Sequence, residues 1–537
     1  MAGIVALIFS FFVRLGGIAP FAPETATEKF ISIIPASLEQ PMVQALGDTA
    51  GLLGLAIASI IAVILFGAFG VLFEKVYSPW ISKYQSLTRT EQFLIYPLFP
   101  WLFFGLIIFP LSGASLFGVN APVLFGQYGA ILSPVALLFS QLLFTLVLAS
   151  IYKSAGLFET STTVAYISQS KTQHGIISPA RRVFIERSAV IVGVAILSLT
   201  SLGSLLSSAA TSLSSSGSRA GSSYELSQAP PIFQDNRLSS LVDSEITSND
   251  NFYRVAIDLF DPSVNLNTWN LQITGSNNTK TYTLDDLKKL PSVSEYTTFE
   301  CVSNPVNGNL ISNAKWTGIK FSDLLSDAGL TTSGVQYVVF YSVDGYNVAI
   351  PLSRALMSDS ILAYQMNDVD LPQRHGYPLR AVIPGLYGMM SAKWVTQITL
   401  VDSFYNGYWQ TRGYSSTAII NTLAFIIVPG DGSQASLSQN NGSVLLGGYA
   451  FAGDRGISKV EVSFDQGQTW QTATLKPAIS NLTWTLWAFN WLPSKTGSYQ
   501  VYARATDGTG QVQTATQTSP YPSGATGYAV ITVNVTS

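Results

Sequence analysis

Phe299-Glu300-Cys301-Val302-Ser303-Asn304 holds the single cysteine of a 537-residue chain. Taken alone, a lone cysteine is most often a small buried hydrophobe, and it excludes an internal disulfide framework. Its surroundings say more. Around it run short segments with alternating apolar residues, such as Trp269-Asn270-Leu271-Gln272-Ile273 and Tyr337-Val338-Val339-Phe340. Helix-like stretches, Leu284 to Leu290 and Phe321 to Ala328, lie between them, and the mixture predicts an α+β domain over 251–420.

From 421 to 537 the pattern is strands alone, for example Lys459-Val460-Glu461-Val462-Ser463 and Tyr499-Gln500-Val501-Tyr502-Ala503-Arg504. Their spacing is that of an immunoglobulin-like β-sandwich. Toward the N-terminus the character changes twice. Residues 207–250 open on a Ser/Gly-rich stretch followed by Pro, a composition that predicts a flexible linker. Residues 1–206 are dominated by apolar runs, five of which, 2–22, 49–73, 93–112, 129–151 and 188–206, approach the length of a membrane span. A bilayer core about 30 Å thick needs roughly 20 such residues in a helix, so a transmembrane bundle of five helices is expected.

Lys and Arg set its orientation, because short basic loops stay on the cytoplasmic side. The connection 152–187 carries Lys153, Lys171, Arg181, Arg182 and Arg187, and 74–92 carries Lys75, Lys83 and Arg89. The alternate connections are acidic or uncharged. The multi-pass protein this predicts has its N-terminus in the cytoplasm and everything after Leu206 outside it. Arg181-Arg182-Val183-Phe184-Ile185 before an apolar run resembles a twin-arginine export signal, although an ordinary basic loop reads the same way. The net charge of -3 argues against a nucleic-acid partner. Of the two histidines, His174 and His375, only His174 falls in the membrane half, and in a loop, so no haem is expected in this chain.

Several motifs in register then narrow the second half. Phe299-Glu300-Cys301-Val302-Ser303-Asn304 precedes Asn313-Ala314-Lys315-Trp316-Thr317-Gly318, and Leu362-Ala363-Tyr364-Gln365-Met366-Asn367 precedes Leu371-Pro372. His375-Gly376-Tyr377-Pro378-Leu379-Arg380, Pro384-Gly385, Tyr387-Gly388 and Lys393-Trp394 follow in order. Together they resemble the sulfite oxidase family of molybdopterin enzymes, and the likeness covers nearly all of 251–537.

The resemblance implies a molybdenum–molybdopterin cofactor with Cys301 as metal ligand. A thiolate is a soft, strongly donating ligand for a metal that changes oxidation state. It further implies that His375, Arg380 and Lys393 anchor the cofactor phosphate, that Asp344 accepts hydrogen bonds from the pterin, and that Tyr253, Asn304 and Ser391 complete the cofactor set. Tyr414 matches the family's active-site tyrosine, Arg254 is expected near the metal, and Trp316 is expected to wall the pocket as a core residue. The sandwich resembles a dimerisation domain, which implies a homodimer.

Two departures bear on substrate. Sulfite oxidases have an arginine shortly after the ligand cysteine, whereas this chain has no basic residue between Cys301 and Lys315. They have another in the last sandwich loop, which here reads Tyr521-Pro522-Ser523-Gly524-Ala525-Thr526-Gly527-Tyr528. The expectation is a membrane-anchored oxidoreductase acting on a small substrate, by sulfite-like oxidation or by reduction of an oxide. Its electrons would pass to a haem- or quinone-reactive subunit. The rival expectation is a binding or structural module, without cofactor, on a membrane stalk.

Overall fold

The computed structural model describes residues 2–15, 21–33, 49–72, 96–111, 116, 129–154 and 229–537, apart from 259, 260 and 277. In the N-terminal unit the helices are Ala2–Leu15, Ala22–Ile33, Thr49–Leu72, Leu98–Leu111 and Gly129–Ser154, the fourth of them opening into a π-helical turn at Phe104–Ile108. They meet around Ala2, Ala6, Phe66, Phe104, Phe144 and Leu148. Arg14, which interrupts the first apolar run, is compensated by Glu24 at 2.7 Å, and a charge among apolar helices persists only with such a partner.

The five-span expectation is not supported. Among the described residues one helix, Leu53–Leu72, is long and apolar enough to cross a membrane. The apolar stretches Ala2–Arg14, Leu98–Leu111 and Ser133–Leu148 are shorter. Among the described residues, three of the expected segments thus form less continuous apolar helix than their windows of sequence contain. The fifth expected span, His174 and the Arg181-Arg182 pair lie outside the described residues.

In the second unit ten strands precede the sandwich. They are β1 (Leu271–Thr274), β2 (Thr279–Tyr282), β3 (Ser292–Glu300), β4 (Ile311–Lys320), β5 (Tyr337–Ser342), β6 (Asn347–Pro351), β7 (Ile361–Met366), β8 (Val369–Asp370), β9 (Arg380–Val382) and β10 (Val395–Val401). One sheet has the order β2-β1-β10-β5-β6, with β1 and β10 parallel. The other has the order β3-β4-β7-β8, with β9 added alongside β7. Short helices connect them, and Thr283 starts one by a capping box with Asp286.

The sandwich follows as β11 (Leu423–Val428), β12 (Ser433–Ser436), β13 (Val444–Phe451), β14 (Ile457–Ser463), β15 (Gln471–Thr472), β16 (Thr474–Leu475), β17 (Thr485–Trp491), β18 (Gly497–Asp507) and β19 (Ala529–Thr536). Its sheets, β11-β13-β17-β16 and β12-β19-β18-β14-β15, enclose Ile426, Leu446, Val460, Val462, Trp487, Val501, Ile531 and Val533. The alternation of buried and exposed positions in β18 and β19 is the period-2 signal read from the sequence.

The linker expected over 207–250 ends earlier. Ala229 is buried in the large core of the second unit, as are Phe233, Leu238, Leu241 and Val242, which lie within 3₁₀ turns and the helix Ser239–Asp243. Beyond them Glu245 forms a buried ion pair with Lys476 at 2.8 Å, and its carbonyl accepts from Asn313 Nδ2 and Trp484 Nε1. Averaged composition hid the reason: Leu238, Leu241 and Val242 stand at i, i+3 and i+4, one helical face.

Candidate active site

Strand β3 runs from exposed residues at Ser292 to buried ones at Glu300, so that the next residue, Cys301, emerges inside the protein. The loop after it is laced shut by Asn304. That side chain donates to Glu300 Oε1 at 3.0 Å and accepts from the Leu310 N–H at 2.9 Å, while Cys301 N–H donates to the Leu310 carbonyl. Burial pushes the Cys301 thiol up to about 11, against hydrogen bonds from Ser303 that favour the thiolate. Without a metal this sulfur stays protonated, and ligation must displace the proton.

Cys301 opens into a cavity lined also by Tyr253, Arg254, Asp344, His375, Arg380, Ser391, Lys393 and Tyr414. All the residues expected at the site therefore come together except Asn304, which braces the cysteine loop from behind. Sequence reasoning passed over Phe252, Val302, Tyr346, Met389 and Trp409, which also line the cavity. Val302 lay inside the cysteine motif already quoted, and for Tyr346 and Trp409 ring size was the signal available. Trp316 is a core residue, fully buried and stacked on Phe299 at 5.1 Å, and it does not line the cavity.

The cations arrive from different elements. Arg380 opens β9, its guanidinium lying over Phe299 and Trp316 at 4.7 and 5.0 Å, and Nη1 donates to the His375 carbonyl. Lys393 precedes β10 and lies 4.1 Å over the Trp394 ring, with the Arg374 carbonyl 3.5 Å from its Nζ. Arg254 is clamped by Asp261, Nε and Nη2 both donating to one carboxylate oxygen at 2.9 and 2.7 Å. Asp261 had no part in the sequence reading. Ser391 Oγ accepts from the Ile383 N–H, and Asp344 accepts from the Tyr346 N–H at 3.1 Å.

Burial governs their charge. It lowers Lys393 to about 7, with Arg380 and Arg254 adding repulsion, and raises Asp344 to about 6. It also takes His375 down to about 3. His375 Nε2 lies 2.6 Å from the Asn249 carbonyl, which only accepts, so the neutral ring carries its proton there and leaves Nδ1 as an acceptor. In the cofactor-free protein the ring is therefore neutral.

Arg254, Arg380 and Lys393 face two carboxylates, Asp261 and Asp344. Arg380 Nε is buried with no hydrogen-bond partner among the described residues. Buried donors are rarely left so, and an anionic group with several acceptor oxygens would satisfy them. A buried thiol beside such a set fits a phosphate-bearing cofactor with a thiophilic metal.

The comparisons agree. Residues 259–409 match the family described as oxidoreductase molybdopterin binding domain, and 415–520 match the Mo-co oxidoreductase dimerisation domain. Mitochondrial sulfite oxidase of Drosophila melanogaster is 30% identical over 53% of this chain and 58% of its own length. That of Rattus norvegicus is 29% identical over 51% and 58%. The chain thus spans little more than half the length of these curated relatives. The sulfane dehydrogenase SoxCD from Paracoccus pantotrophus aligns with a TM-score of 0.43 at 22% identity, over 48% of this chain and 71% of that one. The cavity accordingly lies in a molybdopterin-binding oxidoreductase domain, followed in the same chain by a stretch that matches the dimerisation domain.

Proposed function

We propose that the chain is a membrane-anchored, molybdopterin-dependent oxidoreductase exchanging an oxygen atom and two electrons with a small substrate outside the cytoplasm. The reaction is either sulfite-like oxidation or reduction of an S- or N-oxide. The observation that carries this reading is one buried thiol sharing a cavity with three cations that outnumber their carboxylate partners.

When bound, the cofactor supplies a metal that cycles between oxidation states and exchanges oxygen. The chain's residues bind, orient and screen it. Cys301 would hold the metal. Arg380 and Lys393 would meet the phosphate, the planar guanidinium gripping two oxygens. His375 would accept from a pterin N–H through Nδ1, and Asp344 would accept from another. Tyr253, stacked on Phe252 at 5.5 Å, Ser391, and Asn304 through its loop would fix the pocket's shape. Arg254, held by Asp261, and Tyr414 would orient substrate, and the buried setting strengthens each of these interactions.

Within this reading 251–420 is the catalytic domain and 421–537 pairs two copies as a homodimer, which the dimerisation-domain match supports. Helix Leu53–Leu72 supports an anchor, the distribution of Lys and Arg supports an extracytoplasmic second half, and a haem- or quinone-reactive subunit takes the electrons.

Metal analysis of the full chain from molybdenum-replete cells tests the reading. About one molybdenum per chain is expected, falling at least about tenfold in Cys301→Ser. A wild type with no molybdenum ends the proposal in favour of a cofactor-free module.

A further inference from the structure

Part of the cavity is built on a turn that the sandwich holds. Between β9 and β10 the chain runs Pro384-Gly385-Leu386-Tyr387-Gly388-Met389-Met390-Ser391, and Gly388, Met389 and Ser391 line the cavity. Gly388 lies so close to Tyr253, another lining residue, that a Cβ there would strike its hydroxyl. The Met389 carbonyl accepts from the Tyr346 hydroxyl, and Ser391 Oγ from the Ile383 N–H.

The first half of the turn meets the sandwich. Gly385 has a φ of +80°, and a Cβ on it would lie 2.6 Å from the carboxylate carbon of Asp454, in the turn between β13 and β14. That carboxylate accepts from Arg354 Nη1 at 2.5 Å, and the same nitrogen donates to the Pro384 carbonyl at 3.3 Å. Arg354 belongs to the short helix after β6, so one partly buried guanidinium joins the α+β domain, the turn and the sandwich. Two residues on from Gly385, the Tyr387 hydroxyl accepts from the Asn421 N–H at 3.2 Å, just before β11.

Two glycines in these eight residues make the turn costly to order. Without an outside tie it would be fixed only as a ligand enters, and that cost would be subtracted from affinity. The Asp454–Arg354 pair offsets part of it in advance. Asp454 does not line the cavity and so acts through the turn. We propose that Asp454 is a positioning residue of the cofactor site: packed on Gly385 and paired with Arg354, it holds Gly388–Ser391 in the conformation that receives the cofactor, which gives the sandwich a part in retaining it. This rests on the molybdopterin reading above and adds to it a residue from the second domain.

Cofactor release from the full, molybdenum-containing chain tests it without turnover, with bound molybdenum and pterin followed during dialysis. Asp454→Asn, which keeps the shape and removes the charge, is expected to lose both at least about fivefold faster than wild type. Arg354→Met is expected to do the same, and the double variant to be no faster than the faster single one, because both changes break one interaction. Arg354→Lys keeps a cation and is expected to stay within about twofold of wild type. Lys476→Ala loosens the sandwich at the Glu245 seam instead, and its release is expected to stay near the wild-type rate. Release from Asp454→Asn at the wild-type rate overturns the inference. Equal acceleration in Lys476→Ala overturns it as well, since general loosening would then be the cause. Should Asp454→Asn not fold, equal release from Arg354→Lys and Arg354→Met overturns it. A wild type without molybdenum removes this inference together with the reading it rests on, whereas a metal-containing protein indifferent to Asp454 refutes this inference alone.

Discussion

Buried charge is handled in opposite ways in the cavity and in the sandwich. Asp507, fully buried at the end of β18, accepts from Arg455 at 2.9 Å, from the Thr509 hydroxyl at 2.7 Å and from the Gln511 N–H at 3.0 Å. Lys476 and Glu245 neutralise each other at the seam between the sandwich and the α+β domain. In the cavity Arg380 keeps a buried Nε without a partner, and Lys393 reaches a carbonyl instead of a carboxylate. The first arrangement stabilises the fold through mutual satisfaction. The second carries unmet hydrogen-bonding capacity, which is what a site awaiting an anionic ligand requires.

The contrast breaks most clearly at the seam. Lys476→Ala should cost about 3–5 kcal/mol, because it removes the cation that balances the buried charge of Glu245. Replacing both partners, Glu245→Leu with Lys476→Met, should recover most of that loss. Denaturant midpoints of the two variants decide it, and equal losses would mean the pair is not what holds the seam.

Asp507→Asn should cost about 1–3 kcal/mol, since a neutral amide cannot accept all these donors. Burial alone would raise the Asp507 carboxyl, but the hydrogen bonds from Thr509 and Arg455 outweigh it and bring it down to about 2. A lowered folded-state value stabilises the protein above the unfolded value near 4, and that contribution is lost as pH falls from about 4 toward 2. Unfolding midpoints between pH 5 and pH 2 should fall less steeply in the asparagine variant.

Lys393→Met sharpens the comparison from the other side with the smallest expected effect. Burial holds the wild-type ammonium at about 7, below its unfolded value, so between pH 7 and pH 9.5 the unfolded chain binds more protons. Stability of the cofactor-free protein should therefore rise with pH in that window, and the methionine variant should lose the rise. At pH 6 the variant should be no less stable than wild type. A clear loss there would place Lys393 among the structural charges.

Much of the site was legible because its chemistry requires particular residue types. A thiol, an arginine after a Tyr-Pro-Leu run and a lysine before tryptophan are uncommon enough in order to mark their neighbours. What was not legible depended on partners far away in sequence. Asn304 was expected at the cofactor from the family resemblance, and the loop closure it performs depends on Leu310 and Glu300. The His375 proton is fixed by a carbonyl 126 residues upstream, at Asn249. Arg254 needed Asp261 to aim it. In the fold, alternating strands were readable, whereas the helices Ala2–Leu15 and Leu98–Leu111 are shorter than their apolar windows suggested.

The segment from Ala229 to Glu245 changes where the catalytic half begins. It supplies Phe233, Leu238 and Leu241 to a core they share with β1, β7 and β13, and Leu238 and Leu241 sit close against Gly447. A polypeptide cut at Asn251 would open a trough along that core and leave Lys476 charged with no counter-ion. Proteolysis in the Ser-rich stretch before 229 would instead release a unit whose interior is whole. The boundary of this fold is set by a strap that ties the α+β domain to the sandwich before either has begun.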